Sequence, residues 1–182
     1  MRDGAFEVMQ VEFVTNKKVD VESFEIENTG KDLARLHVSS KDLEEGKDYV
    51  ILPRLSKDEE LKEQDEVVAI GFAKGLKWTF TGGMVSALSC PSADLLGNLA
   101  DAFPANFKCV QFDASLNPGN SGGPLFRKKD DAYVWIGINT FKLKGENLNF
   151  AIHVEEFFDK SYKTFPMSEK GVKDAIRMMN SL

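Results

Sequence analysis

The sequence is poor in cysteine and histidine, with only two of each in 182 residues. Cys90 and Cys109 cannot form a disulfide framework, and they lack the Cys/His spacing of a metal site. We therefore expect no metal and no cofactor. The two cysteines bracket one insertion and can lie on neighbouring strands, so a single disulfide between them is one alternative. The expected state is a pair of reduced, part-buried thiols.

The charge balance and the N-terminus argue against two further classes of partner. The net charge is −6 and the pI is near 5.1, so lysine and arginine are too few to neutralise a nucleic-acid backbone. No window approaches the length of a membrane span, and the polar residues 1–7 lack the apolar core of a signal peptide. We expect neither nucleic-acid nor membrane binding. The compartment stays unknown, with the cytoplasm as the default.

The N-terminal part of the chain has the period-two pattern of β-strands. Residues 9–13 alternate apolar and polar side chains, which is typical of a half-buried strand. The next strand changes phase, and a bulge near Ser23 would restore one face to the core. Residues 49–53 are predicted as another short strand. Residues 56–65, rich in charge and without an apolar period, are predicted to connect two barrels.

The remaining part of the chain carries the full strand complement of a six-stranded barrel. The predicted strands are residues 66–72, 79–88, 107–114, 123–128, 133–141 and 148–154. Leu95, Leu99 and Phe103 recur at four-residue spacing and favour a short amphipathic helix, with an irregular loop as the alternative.

A helix is predicted at the C-terminus. Val172, Ile176 and Met179 form a helical stripe, and Ser168 is placed as its N-cap, with Pro166 just outside.

The most informative segment is the octapeptide 117–124, Asn-Pro-Gly-Asn-Ser-Gly-Gly-Pro, which places Ser121 on a tight, glycine-lined turn. A serine hydroxyl becomes a useful nucleophile when a base takes its proton and nearby donors stabilise the oxyanion. Glycines on both sides let backbone N–H groups point toward a carbonyl held beside the hydroxyl. An ordinary Gly/Pro/Asn surface turn is the alternative, but the order of these residues favours a nucleophile turn.

Six further blocks occur in order around this octapeptide, and together they resemble the trypsin-like serine peptidases, most closely the HtrA/Deg family. The resemblance covers about residues 8–156. The blocks are residues 29–38 (TGKDLARLHV), 67–72 (VVAIGF), 81–88 (TGGMVSAL), 110–114 (VQFDA), 136–140 (IGINT) and 149–152 (NFAI).

The resemblance implies an all-β fold, a trypsin-like double β-barrel whose first barrel is incomplete at its N-terminus, with a short C-terminal helix. Residues 1–60 would form the partial barrel, 61–160 the barrel with the serine turn, and 161–182 a helical tail too short for a peptide-binding PDZ module. The implied function is a serine endopeptidase that forms an acyl-enzyme with a protein or peptide bound in extended form. Unpaired strand edges in the first barrel would invite homo-oligomers.

The resemblance also assigns the site residues. Ser121 would be the nucleophile and Asp32 the triad acid, while Gly119, Asn120 and Ser121 would form the oxyanion hole through the N–H groups of Gly119 and Ser121. Trypsins activated by cleavage carry a charged aspartate where this chain has Asn120, so activation by a new N-terminus is not expected. Asp113 is interpreted as structural.

A neutral specificity pocket is expected beside the serine. By resemblance, Ser115 and Leu116 lie at its entrance and floor, and Phe141 and Lys142 form a wall. Six residues before the serine there is no carboxylate of the kind that binds lysine or arginine in trypsins. We therefore expect a preference for small or medium aliphatic side chains, since an unpaired buried cation would be costly.

The triad histidine is not found at its expected place, because no histidine precedes Asp32. His37 lies five residues after Asp32, about 16 Å along a strand and on its opposite face. His153 stands where the family commonly has proline. Both are interpreted as ordinary strand histidines, so the chain as given is expected to be inactive. The missing histidine can reflect a truncated chain, a misplaced start or a true loss, and these alternatives stay open. The alternative function is a pseudopeptidase that acts as a peptide-binding or scaffolding module.

Overall fold

The computed structural model of the chain consists mainly of antiparallel strands grouped into two compact units. The described residues up to Ile51 and those after Phe158 form the first unit, and those from Leu52 to Phe158 form the second. The C-terminal segment thus groups with the N-terminal strands. The structure describes residues 9–27, 32–56, 59–76, 78–92, 107–143, 148–158 and 161–181.

The described residues contain ten strands, two α-helices and one short 3-10 turn at Ala73–Gly75. The strands are β1 (Gln10–Glu12), β2 (Lys18–Glu27), β3 (Ala34–Val38), β4 (Glu66–Gly71), β5 (Thr79–Ala87), β6 (Cys109–Phe112), β7 (Pro124–Lys129), β8 (Ala132–Lys142), β9 (Asn149–His153) and β10 (Tyr162–Pro166). The helices are α1 (Val154–Phe157) and α2 (Glu169–Met179).

The first unit is built on a four-stranded sheet in which β2 pairs with β1, β3 and β10. The predicted bulge is confirmed, because the β2–β3 register shifts between Val21 and Ser23. Val21 and Phe24 are consequently both buried. Phe24 stacks on Phe165 of β10, with ring centroids 5.6 Å apart. Strand β10 was not predicted, since only one of its five side chains is buried.

Helix α2 begins where the sequence predicts, with the Ser168 hydroxyl accepting a hydrogen bond from the Gly171 N–H at 3.1 Å. The predicted apolar stripe is wrong in part. Ile176 and Met179 are exposed, while Gly171 and Ala175 are buried. Position 171 sets this face, because a Cβ there would lie 2.1 Å from the carbonyl oxygen that ends β10.

The strand predicted at residues 49–53 is wrong. Its central side chains are exposed, and only isolated bridges are made at Tyr49 and Arg54. The preceding Asp48 is buried and accepts hydrogen bonds from the Thr15 hydroxyl (2.5 Å) and the Lys17 ammonium (2.7 Å). These bonds hold the pKa of Asp48 well below its usual range, and the bond from Lys17 has the largest effect. Local side-chain bonding of this kind competes with strand pairing.

The second unit is a closed barrel with the strand order β4-β5-β6-β9-β8-β7. This confirms the predicted set of six strands. The barrel is packed by apolar side chains, and each fully buried valine, leucine, isoleucine or phenylalanine contributes about 1.5–3 kcal/mol. The apolar residues with no exposed surface are Ala69, Val110, Phe112, Leu125, Ile136, Ala151 and Ile152.

Arg127 of β7 fastens the charged segment before β4 to this barrel. Its guanidinium donates to the Glu59 carboxylate at 2.9 Å and to the Glu60 carbonyl at 3.2 Å, and lies 3.8 Å from Asp65. Only 6% of the Arg127 side chain is exposed. The described residues of the predicted connection, 56 and 59–65, contain no helix or strand.

The two cysteines form a disulfide, so the expectation of reduced thiols is wrong. Cys90 follows β5 and Cys109 begins β6, and their Cα atoms are 4.9 Å apart. Strands β5 and β6 are neighbours in the barrel, which brings the two positions within bridging distance. The helix predicted around residues 95–103 lies outside the described residues.

Candidate active site

Ser121 lies on the turn that enters β7, and β7 is flanked by β4 on one side and β8 on the other. Because the pairing is antiparallel, the end of β4 lies beside the start of β7, and so does the later part of β8. The turn is therefore held between these two strands. The barrel register thus places Ser121 at the junction of β4, β7 and β8.

Two glycines allow the turn to pack this closely. Gly119 has φ +101°, a region that favours glycine. A Cβ at Gly119 would lie 2.2 Å from the Phe72 carbonyl oxygen. At Gly123, a Cβ would lie 2.1 Å from the Ile70 carbonyl oxygen. The glycine pattern noted in the sequence is thus a requirement of the packing between the turn and β4.

Backbone hydrogen bonds fix the conformation of the turn, and two of its backbone N–H groups take no part in them. The Asn120 N–H donates to Asn117 at 3.0 Å, and the Gly122 N–H donates to Asn139 of β8 at 2.8 Å. Within the described part of the chain, the N–H groups of Gly119 and Ser121 have no acceptor. These are the two donors that the family resemblance assigns to an oxyanion hole, and an incoming oxyanion could accept from them.

The Ser121 side chain is exposed, and its hydroxyl donates a hydrogen bond of 2.7 Å to the Thr140 carbonyl oxygen. A carbonyl oxygen orients a hydroxyl but does not take its proton at neutral pH. The serine is therefore positioned but is not activated by this contact.

A cavity of about 170 Å³ opens beside Ser121. This volume is below the range of about 300–1,000 Å³ typical of small-molecule pockets, and it suits one side chain. Its lining residues are Leu116, Asn117, Pro118, Asn120, Ser121, Thr140, Phe141 and Lys142.

Three of the four predicted pocket residues meet at this cavity. Leu116 is buried, and Phe141 is half-buried and stacked on Phe150, with ring centroids 4.8 Å apart. Lys142 is exposed at the same cavity. Ser115 is exposed and is absent from the lining. A buried floor and a fixed aromatic wall give the cavity an apolar interior.

Two buried asparagines support the turn from the barrel side. The Asn139 amide donates to the carbonyls of Ile70 (3.3 Å) and Pro124 (3.2 Å), which ties the end of β4 to the start of β7. The Asn120 side chain packs against Gly71, where a Cβ would lie 2.8 Å from its Oδ1. Asn139 was missed as a site residue, although it lies in the IGINT block that resembles the family.

Asp32 lies in the first unit, exposed and two residues before β3. Asp113 lies in the second unit, where its carboxylate accepts a hydrogen bond of 2.7 Å from the Met84 N–H. A carboxylate that joins β5 to the end of β6 has a structural role, in agreement with its interpretation from the sequence.

Both histidines have other roles in the structure. His37 is exposed in the first unit, with Nε2 3.4 Å from the Glu25 carboxylate. His153 accepts the Glu155 N–H at Nδ1 (3.2 Å) and so caps α1, and burial lowers its pKa. It pairs with Gly137, three residues and about 10 Å along β8 from the carbonyl that holds Ser121.

The described residues contain no group of three or more histidine, cysteine, aspartate or glutamate side chains that could hold a metal. Within the same part of the chain, every helix is too short or too polar to cross a membrane.

Comparison with known proteins shows the family of this chain. The trypsin-like peptidase domain family model matches residues 3–138. The serine protease HTRA2, mitochondrial, of Bos taurus is 32% identical over 136 residues, which are 72% of this chain and 26% of that protein. A "probable periplasmic serine endoprotease DegP-like" of Ectopseudomonas mendocina is 40% identical over 106 residues, 56% of this chain and 20% of that protein.

A solved structure titled HtrA-type protease AlgW with decapeptide superposes with a TM-score of 0.62 at 27% identity, covering 81% of this chain and 41% of that one. The chain spans about a fifth to a quarter of the length of the curated relatives that it matches. The family match extends over well more than half of the sequence. The chain belongs to the family of trypsin-like peptidase domains, and its relatives there include HtrA- and DegP-type serine proteases.

Proposed function

We propose that the second unit carries the acyl-transfer part of a serine endopeptidase site. One side chain of an extended peptide enters the cavity, its carbonyl carbon faces the Ser121 hydroxyl, and its oxygen accepts from the N–H groups of Gly119 and Ser121. The proposal rests on one observation: an exposed hydroxyl and two backbone donors without an acceptor in the described residues stand beside a cavity of one side chain's size.

The cavity is proposed to prefer small or medium aliphatic side chains. Leu116 and Phe141 give it an apolar interior, and no carboxylate lies among those of its lining residues that the structure describes. A lysine or arginine side chain would have to bury its cation there without a partner, which is costly. Profiling a catalytically competent form on a peptide library tests this preference. Strong cleavage after lysine or arginine would contradict it.

We further propose that the 182 residues do not hydrolyse peptides by themselves. By resemblance, Asp32 would orient a histidine placed before it in sequence, and neither His37 nor His153 precedes it. Without a general base the Ser121 hydroxyl keeps its proton at neutral pH. In a related triad system, loss of the histidine lowers turnover about 10⁶-fold.

A fluorophosphonate probe tests this proposal directly, because it reports activated serines. We expect negligible labelling of the 182-residue chain, at the level of Ser121→Ala. Fast labelling that Ser121→Ala abolishes would contradict the missing base. His37→Gln and His153→Gln would then show whether either imidazole supplies it, and labelling unchanged in both would point to a base from elsewhere.

A peptide-binding pseudopeptidase is the second candidate. The contact between the Ser121 hydroxyl and the Thr140 carbonyl favours it, since it holds the serine without activating it. If a longer product of the gene carries a strand with a histidine before Asp32, adding that strand should restore Ser121-dependent labelling, which supports the endopeptidase. Peptide binding without labelling in every form of the gene product supports the binding module.

A further inference from the structure

The flank of β7 opposite the cavity carries a second feature that is joined to the serine turn. There the chain leaves β4 and reaches β5 through the 3-10 turn. The Phe72 N–H donates to the Gly119 carbonyl at 3.2 Å, and the Lys74 N–H donates to the Pro118 carbonyl at 2.7 Å. The backbone of this connection is therefore hydrogen-bonded to the residues that precede Ser121.

Two exposed aromatic side chains stand on this connection. The rings of Phe72 and Trp78 meet edge to face, with centroids 5.6 Å apart and an interplanar angle of 68°. Phe72 is 41% exposed and Trp78 44% exposed. Trp78 also has φ +56°, a conformation that a bulky side chain rarely adopts. Strained backbone of this kind tends to occur at ligand-binding sites.

We infer that the Phe72–Trp78 pair is a subsite for an apolar or aromatic side chain on the leaving-group side of the scissile bond. The inference rests on the proposed function. A peptide whose acyl-side residue fills the cavity on the β8 flank has its carbonyl at Gly119 and Ser121. Its next residues leave on the β4 flank, where Phe72 adjoins Gly119.

The chemistry of the pair defines what it accepts. Two rings set edge to face offer a ring face and ring edges to a third aromatic group, and they exclude water from an aliphatic one. The subsite therefore selects phenylalanine or a branched aliphatic residue over glycine just after the scissile bond.

Three peptides test the inference without requiring catalysis. The first is an acetylated tripeptide amide ending in valine, which reaches only the cavity. The second and third extend it by Phe-Ala or by Gly-Ala. In a Trp135→Phe background, Trp78 is the sole tryptophan. We expect the Phe-Ala peptide to bind about tenfold tighter than the Gly-Ala peptide (about 1.4 kcal/mol), and it alone should change the Trp78 fluorescence.

Matched variants locate the effect. Phe72→Ala should reduce the tenfold preference to under twofold while leaving the affinity of the tripeptide amide unchanged. Phe80→Ala is the control, because Phe80 is also exposed on β5 but makes no hydrogen bond to the turn. It should keep the full preference. Circular dichroism of each variant verifies that the fold is retained.

The outcomes separate this inference from the proposed function. If the tripeptide amide binds but the two extended peptides bind equally, the subsite is overturned and the cavity stands. If the Phe-Ala peptide binds in a Phe72-dependent way while the tripeptide amide does not, the subsite is supported and the cavity is not. If no peptide binds at millimolar concentration, both are overturned.

Discussion

Replacing two glycines of the serine turn, one at a time, separates backbone strain from lack of space. Gly119 has φ +101° and Gly122 has φ +83°, so an alanine at either position takes a conformation that costs an L-residue about 1–2 kcal/mol. The positions differ in their surroundings. A Cβ at Gly122 meets nothing within 4 Å, whereas one at Gly119 lies 2.2 Å from the Phe72 carbonyl oxygen.

We expect Gly122→Ala to lower the free energy of unfolding by about 1–2 kcal/mol, the strain alone. Gly119→Ala should cost about 2.5–6.5 kcal/mol, because overpacking adds about 1–3 kcal/mol to the same strain and the lost Phe72–Gly119 hydrogen bond adds about 0.5–1.5 kcal/mol. Urea unfolding followed by tryptophan fluorescence measures both. With a slope of about 2 kcal/mol/M, the midpoints should fall by under about 1 M and by about 1.3–3.3 M respectively.

Gly122→Asn is the matched control, since asparagine tolerates the left-handed conformation better than alanine. It should recover part of the loss seen in Gly122→Ala. Equal midpoints for the two alanine variants would refute the reasoning, because Gly119 would then have room that its contact with the Phe72 carbonyl denies.

Arg127→Met should lower the thermal midpoint of the second unit, since it removes the hydrogen bonds and ion pairs that hold the charged segment before β4 against the barrel. The loss is expected at about 1–3 kcal/mol, below the value for a fully buried pair because the carboxylates are partly exposed; an unchanged midpoint counts against the ion-pair cluster. Reduction of the Cys90–Cys109 bridge should cost about 3 kcal/mol, the value expected for a closed loop of similar length, and urea titration with and without reductant measures it. Burial lowers the pKa of His153 in the folded protein, so its contribution to stability is present above about pH 6.5 and is lost as the pH falls toward the folded pKa. His153→Gln should remove that part of the acid sensitivity, and identical pH profiles of the melting temperature in both proteins would contradict this.

The barrel was predictable because its sequence signals act locally. Each of the six strands lies within one continuous segment of sequence, and β5 was predicted as residues 79–88 where the structure has Thr79–Ala87. The errors occur where a tertiary contact, and not the local sequence, determines the conformation. The segment 49–53 reads as a strand, but hydrogen bonds gathered by Asp48 hold the chain before it in a turn. Periodicity likewise cannot tell that position 171 must approach the end of β10.

Only the parts of the candidate site that lie close together in sequence were predictable. The octapeptide and the IGINT block indicated Ser121, its donors and one wall of the cavity. The Phe72 carbonyl, directly after β4, and the Thr140 carbonyl of β8 contact the turn, while the Asn139 amide joins the end of β4 to the start of β7. Their roles depend on which strands flank β7, and no local pattern gives that. Ser115 shows the converse, because its place beside Leu116 in sequence does not bring it to the cavity.

The neutral side chain of the buried Asn120 allows the serine turn to pack without an ionic partner. The Asn120 side chain is 1% exposed, and neither of its polar atoms has a hydrogen-bond partner in the described residues. An unpaired buried amide costs about 1–3 kcal/mol, whereas an unpaired buried carboxylate costs far more and would require a cation or a proton. With asparagine at this position the turn can pack against Gly71 as a neutral unit. The N–H groups of Gly119 and Ser121 can thus be positioned by the packing of the barrel itself, without the arrival of a charged group.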